Sequence, residues 1–170
     1  MRNTIEYLGA ELKGAHELFV GTLSGVTSEQ AHFYAGGNTV PIVAHLGHVL
    51  VFEDMIINGM LKGGAPLLAG GKTGFSDMPP QQPPWDGWGR KVKVDLVQAM
   101  DYGMQVGASA ESYVASLDDA ALAKPLDLTM LGLGMQTVGF ILGGLVLNLH
   151  LHTGEISCLK GLQGLKGYPI

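Results

Sequence analysis

Apolar residues recur at three- and four-residue spacing along four stretches of the chain, and that spacing predicts four helices. The first begins near Asn3, a good N-cap with Glu6 three residues on, and carries the stripe Ile5, Leu8, Leu12, Ala15, Phe19 and Leu23. Thr27-Ser28-Glu29-Gln30 predicts a second, short capped turn, and Gly36-Gly37 then breaks the chain. The second helix runs from Pro41 to about Leu61. Proline suits a first helical position, because the N–H it lacks would have had no partner there. Apolar residues surround this helix on nearly every side, which predicts a central or interfacial place. The third spans Lys93–Leu117 on the stripe Leu96, Met100, Gly103, Gly107, Ala110, Val114 and Leu117. Its two glycines weaken it by about 1 kcal/mol each relative to alanine, so their expected use is close approach by a neighbour. The last helix, Thr137–Gln163, follows a short extended or turn segment at Leu126–Met135.

The connections set the topology. The stretch Lys62–Arg90 is rich in glycine and proline, with Pro79-Pro80 and Pro83-Pro84-Trp85, and is long for an internal link. Four amphipathic helices with one long link indicate an all-α protein, a four-helix bundle with a crossover between the second and third helices. Such a link lets those two helices run parallel. The whole chain, 1–170, reads as one domain, with 62–90 as the crossover loop.

Composition narrows the function classes. The apolar fraction is 46%, charged residues are 15%, and the net charge is −5 with ten Lys plus Arg and no basic run. Nucleic-acid binding needs clustered cations and is not expected. So few charges, together with the all-round apolar second helix, point to a homodimer. The segment Thr137–Leu151 falls short of the roughly 20 residues a membrane span requires, so no membrane association is expected. The start, Met1-Arg2-Asn3-Thr4-Ile5-Glu6, carries no apolar targeting segment, and the single cysteine, Cys158, cannot form an internal disulfide. Both fit a cytoplasmic protein. Cys158 itself reads as a small buried apolar residue.

Against this apolar background a few polar side chains stand out. His45 and His48 lie one turn apart in the second helix. On the last helix the seam Val138, Ile141, Leu145, Asn148, His152, Glu155, Leu159 and Leu162 puts three polar groups in its middle. Burying such groups unpartnered costs roughly 1–3 kcal/mol each. Two facing helices could gather two or three imidazoles around one ion, and imidazole suits Zn, Ni, Fe and Cu. The plain alternative is a set of core histidines satisfied by hydrogen bonds. His16, at the edge of its stripe, reads as solvated. His150 lies two residues from His152, about 200° round the helix, and cannot share its ion.

The segment Pro41-Ile42-Val43-Ala44-His45-Leu46-Gly47-His48, followed by Glu53-Asp54, resembles the second-helix motif of the DinB/YfiT-like superfamily of metal-binding four-helix bundles. His152-Thr153-Gly154-Glu155-Ile156, Leu159-Lys160-Gly161-Leu162 and the closing Gly167-Tyr168-Pro169-Ile170 resemble its last helix and tail. The resemblance covers most of the chain, including the long link with Trp85 and Trp88, and rests on the order and spacing of short motifs.

The resemblance implies a divalent metal held by one second-helix histidine and two last-helix residues four apart. His152 matches the second of that pair; the first, expected to be histidine or glutamate, is Asn148 here. A neutral amide is a poor ligand for nickel or zinc beside imidazole. Either His45 and His48 both coordinate with His152, or the metal (Ni, Zn or Fe) is weakly held or lost. The offset from Pro41 favours His48, with His45 as the alternate. Glu155 would orient an imidazole or cap a polar core, while Trp85 and Trp88 would line an apolar substrate pocket. The implied function is a metal-dependent, thiol-dependent transferase or hydrolase acting on a small molecule, its partner a low-molecular-weight thiol. The alternative is a non-catalytic, small-ligand-binding or stress-associated dimer with a degenerate metal site.

Overall fold

The computed structural model describes residues 3–80 and 84–170; Pro83 of the proline run lies outside them. The chain is mostly helical. α1 spans Thr4–Leu23 and opens with the expected reciprocal cap, in which Asn3 accepts from the Glu6 N–H at 2.8 Å and the Glu6 carboxylate accepts from the Asn3 N–H at 3.2 Å. The short α2, Ser28–Ala31, is capped in the same way by Thr27 and Gln30.

α3, Ile42–Asp54, starts one residue later than the sequence suggests, because Pro41 is extended and serves as the N-cap. It continues as a π-helical stretch, Met55–Leu61. The 20 residues Ile42–Leu61 are long and apolar enough to cross a membrane, but 78% of the most apolar window is buried against the rest of the protein. The apolar surface that suggested a second subunit is therefore covered from within.

α5, Leu96–Ala115, is capped by Asp95, and α7, Val138–Leu162, by Thr137, whose hydroxyl accepts from the Phe140 N–H. Between them lie the single turn α6, Asp119–Leu122, and an antiparallel pair, β1 (Pro125–Asp127) and β2 (Met135–Thr137), where an extended or turn segment was expected. α1 packs against α5 and α7, and α3 packs against the same two. Leu12, Phe19, Ile42, Leu46, Val106, Leu142, Leu145 and Ile156 are among the buried side chains they share.

α3 and α5 run parallel, as the long link allows. Leu50 faces Gly103, while Asn58, two turns later, accepts from Ser109. The crossover therefore has to return along the helices, and it does so pinned at several points. Asp54, fully buried, accepts from the Leu67 and Leu68 N–H groups at 2.9 and 2.8 Å, from Asn58 at 2.8 Å and from the Tyr102 hydroxyl at 2.7 Å. Further on, Phe75 bridges to Val94. Gly74 next to it has φ +80°, and a Cβ there would stand 2.4 Å from the Ala99 nitrogen, so only glycine fits. The short helix α4, Asp86–Gly89, then lies on α3.

The glycines of α5 do what their positions suggest: Gly103 lets Leu50 approach, and Gly107 lies against the His16 ring. Two expectations are corrected. Cys158 is exposed rather than buried, since it lies on the outward side of α7. His16 is not solvated, because α1 and α5 pack closely enough to enclose its ring between two carboxylates.

Candidate metal centre

α3 and α7 pack antiparallel, so the His45 end of α3 meets the His152 turn of α7, and His48 meets Asn148. Three ligand atoms converge there. The Nδ1 atoms of His45 and His152 are 3.1 Å apart, Glu155 Oε2 is 2.5 Å from His152 Nδ1, and it is 3.2 Å from His45 Nδ1. His45 is buried, His152 is mostly so, and Glu155 is about half exposed, so the cluster opens to solvent on the Glu155 side.

The donor set fits a divalent ion. Ligands at bond lengths of about 2.0–2.1 Å in a tetrahedron stand roughly 3.3 Å from one another. The two separations from His45, 3.1 and 3.2 Å, are close to that edge, and the third is a His152–Glu155 hydrogen bond that coordination would replace. Two imidazoles and one carboxylate, with a position left over, are the composition of catalytic zinc sites and of non-haem iron sites. Among the described residues, His45, His152 and Glu155 are the group that could hold a metal ion.

Protonation supports this. Hydrogen bonds from His152, and then from His45, hold the Glu155 carboxyl well below the usual carboxylate range. A charged carboxylate is thus in place beside the two imidazoles.

The other expected residues surround the triangle. His48 lies next to it without joining it: its ring is edge-on to His152 at 4.9 Å, stacked on Trp85 at 4.1 Å and near Phe52 at 5.6 Å. Burial first, and then the neighbouring His152, push its pKa down to about 4, while a hydrogen bond with Asn148 works against the fall. Asn148 thus meets His48. Trp85, half-buried, also stands edge-on to His152 at 6.1 Å and forms one wall. Trp88 is held away from the histidines, against Gly47 and against Phe75 at 5.8 Å. It anchors α4 and so sets where Trp85 falls.

A second polar cluster is not legible in the spacing of any one helix. His16 Nε2 contacts Glu53 at 2.8 Å and its Nδ1 contacts Glu111 at 3.0 Å, joining α1, α3 and α5. The available signal was Glu53-Asp54, two acids inside an otherwise apolar helix.

With this geometry in place, the comparisons with known proteins agree. A family profile of the DinB superfamily matches residues 11–156, most of the chain, and the chain belongs to that superfamily. The fold is similar to the crystal structure of a conserved protein from Enterococcus faecalis, with a TM-score of 0.79 and 18% identity over 94% of this chain and 96% of that one. At that identity the likeness speaks for the fold. No curated protein matches the chain in sequence.

Proposed function

We propose that this chain is a divalent-metal-dependent enzyme of the DinB superfamily, a cytoplasmic four-helix bundle acting as a small-molecule transferase or hydrolase with a low-molecular-weight thiol or water as nucleophile. The observation that carries this reading is the convergence of His45 Nδ1, His152 Nδ1 and Glu155 Oε2. A bound ion supplies Lewis acidity there and lowers the pKa of a thiol or of water. The chain's own residues do the rest. Trp85 and Phe52 present apolar faces beside the centre, His48 supplies a neutral imidazole able to accept a proton, and Asn148 fixes that ring's orientation. Metal analysis of protein purified without a histidine tag, followed by titration with Zn, Ni and Fe(II), tests the reading. Uptake of one ion per chain is expected; none at micromolar metal overturns it.

The alternative, a ligand-binding protein with a degenerate site, draws support from Asn148, which stands where a third strong ligand is expected and is engaged with His48. Homodimerisation belongs to the same proposal, moved to a different surface. Phe140, Leu147, Leu151 and Leu162 follow helical spacing along the outer side of α7, the last three 58–60% exposed. No charged residue interrupts α7 before Glu155, so a second copy of this helix is the partner this face fits.

A further inference from the structure

A cavity of about 270 Å³ lies among α1, α3 and α5, apart from the metal centre. Leu50 projects into it about 140° round α3 from the ligand His45, and none of His45, His152 and Glu155 is among its lining residues. Phe19, Val20, Leu50, Met100, Met104 and Leu149 make most of the lining apolar, and Gly103, Gly107 and Ala108 complete it on the α5 side. The polar lining has one sign. Among the described residues, His16, Glu17, Glu53 and Glu111 face the cavity and no lysine or arginine lines it: three carboxylates against one imidazole.

The arrangement of the His16 cluster selects what can enter. Both imidazole nitrogens are taken, one by Glu53 and one by Glu111, so no donor remains for an anion. Glu53 is 2% exposed, yet spends only Oε1 on His16; among the described residues its Oε2 has no hydrogen-bond partner. Burial draws the His16 pKa down, but Glu53 and then Glu111 outweigh it and leave the pKa above its ordinary value. Even with His16 charged and Glu17 paired with Lys13 at 3.9 Å, Glu53 and Glu111 leave an excess of negative charge at the lining. Glu53 Oε2 thus meets the cavity instead of a protein donor, and an ionised carboxylate there accepts a charge-assisted hydrogen bond from an ammonium more strongly than a neutral bond.

We infer that this cavity binds a small apolar amine, its ammonium on Glu53 and Glu111 and its body among Phe19, Leu50, Met100 and Met104. An engineered 150 Å³ cavity takes benzene, so this one has room for about ten non-hydrogen atoms. The inference does not depend on the metal centre.

Titration calorimetry with 2-phenylethylammonium, compared with 2-phenylethanol and 3-phenylpropanoate, tests it. The amine is expected to bind at least tenfold more tightly than either analogue. Glu53→Gln and Glu111→Gln are each expected to weaken the amine at least tenfold. Ala108→Trp, at the exposed rim, is expected to abolish binding without disturbing the core. His152→Ala is expected to leave it unchanged. Binding of the carboxylate as tight as that of the amine, no amine binding at millimolar concentration, or amine binding that survives Ala108→Trp would overturn the inference. So would loss of amine binding in His152→Ala.

Discussion

The imidazoles of His45 and His152 meet nitrogen to nitrogen, 3.1 Å apart, across two helices that the chain joins only after more than eighty residues. Two nitrogens at this distance attract only when a proton or a cation lies between them. Glu155, 2.5 Å from one and 3.2 Å from the other, supplies the compensating charge. His45→Ala and His152→Ala are each expected to reduce metal affinity on the order of 100-fold or more, whereas groups outside the coordination shell cost 10–100-fold. His48→Ala, which removes a neighbour of the triangle, should fall in the lower range. Competition titration with a chromogenic chelator reads both, and an effect of His48→Ala larger than that of His45→Ala would reassign the ligand.

Gly47 and Trp88 form a contact that no other residue at position 47 allows. A Cβ there would lie 2.6 Å from the Trp88 ring, whose atoms are rigid and held on the far side by Phe75. Gly47→Ala should displace α4 and cost about 1–3 kcal/mol of stability. Tryptophan emission should shift to longer wavelength as Trp85 leaves His48. Urea unfolding and fluorescence together check this, and an unshifted spectrum would mean that Trp85 is positioned by something else.

Acid should destabilise the metal-free protein before ordinary carboxylates titrate. His48 is neutral in the folded chain with a pKa near 4, whereas unfolded it binds a proton near pH 6.5. Its contribution is present in full above pH 6.5 and is lost as pH falls toward 4, by no more than about 3 kcal/mol. Glu155, whose pKa is depressed, adds a loss of the same sign below its unfolded value of 4.5. His16, whose pKa is raised, acts in the opposite sense, contributing fully below pH 6.5 and losing that contribution as pH rises. Urea midpoints from pH 4 to 8 should fall on the acid side, and His48→Gln should flatten that slope.

The outer face of α7 makes a separate prediction. Leu151→Glu, in the middle of the apolar row, should convert a dimer to a monomer with little effect on the unfolding midpoint extrapolated to low concentration. Light scattering at micromolar concentration checks it. A monomeric wild-type protein would remove the proposal.

The sequence carried the long helices well, because each writes its own periodicity: the caps at Asn3 and Thr27 and the stripes of α1 and α5 needed no tertiary information. It also placed His45, His48, Asn148, His152 and Glu155 on facing helices. What it could not give was the choice among them. Whether His45 or His48 meets His152 depends on a rotation of α3 against α7 by a fraction of a turn, and packing of the buried Leu46, Val49 and Leu145 decides that. The His16–Glu53–Glu111 cluster was hidden for the same reason, since its members come from three helices and none repeats on its own. The turn at Met55–Leu61 is π-helical although its residues follow the apolar pattern of the helix before it.

Because α3 and α5 point the same way, the chain between them must travel back about 30 Å, the length of a 20-residue helix. That detour sets Trp85 over His48. Topology and access are thus written in one segment. Relatives that lengthen or shorten this return stretch would change who may reach the centre while leaving its three ligand atoms where they are.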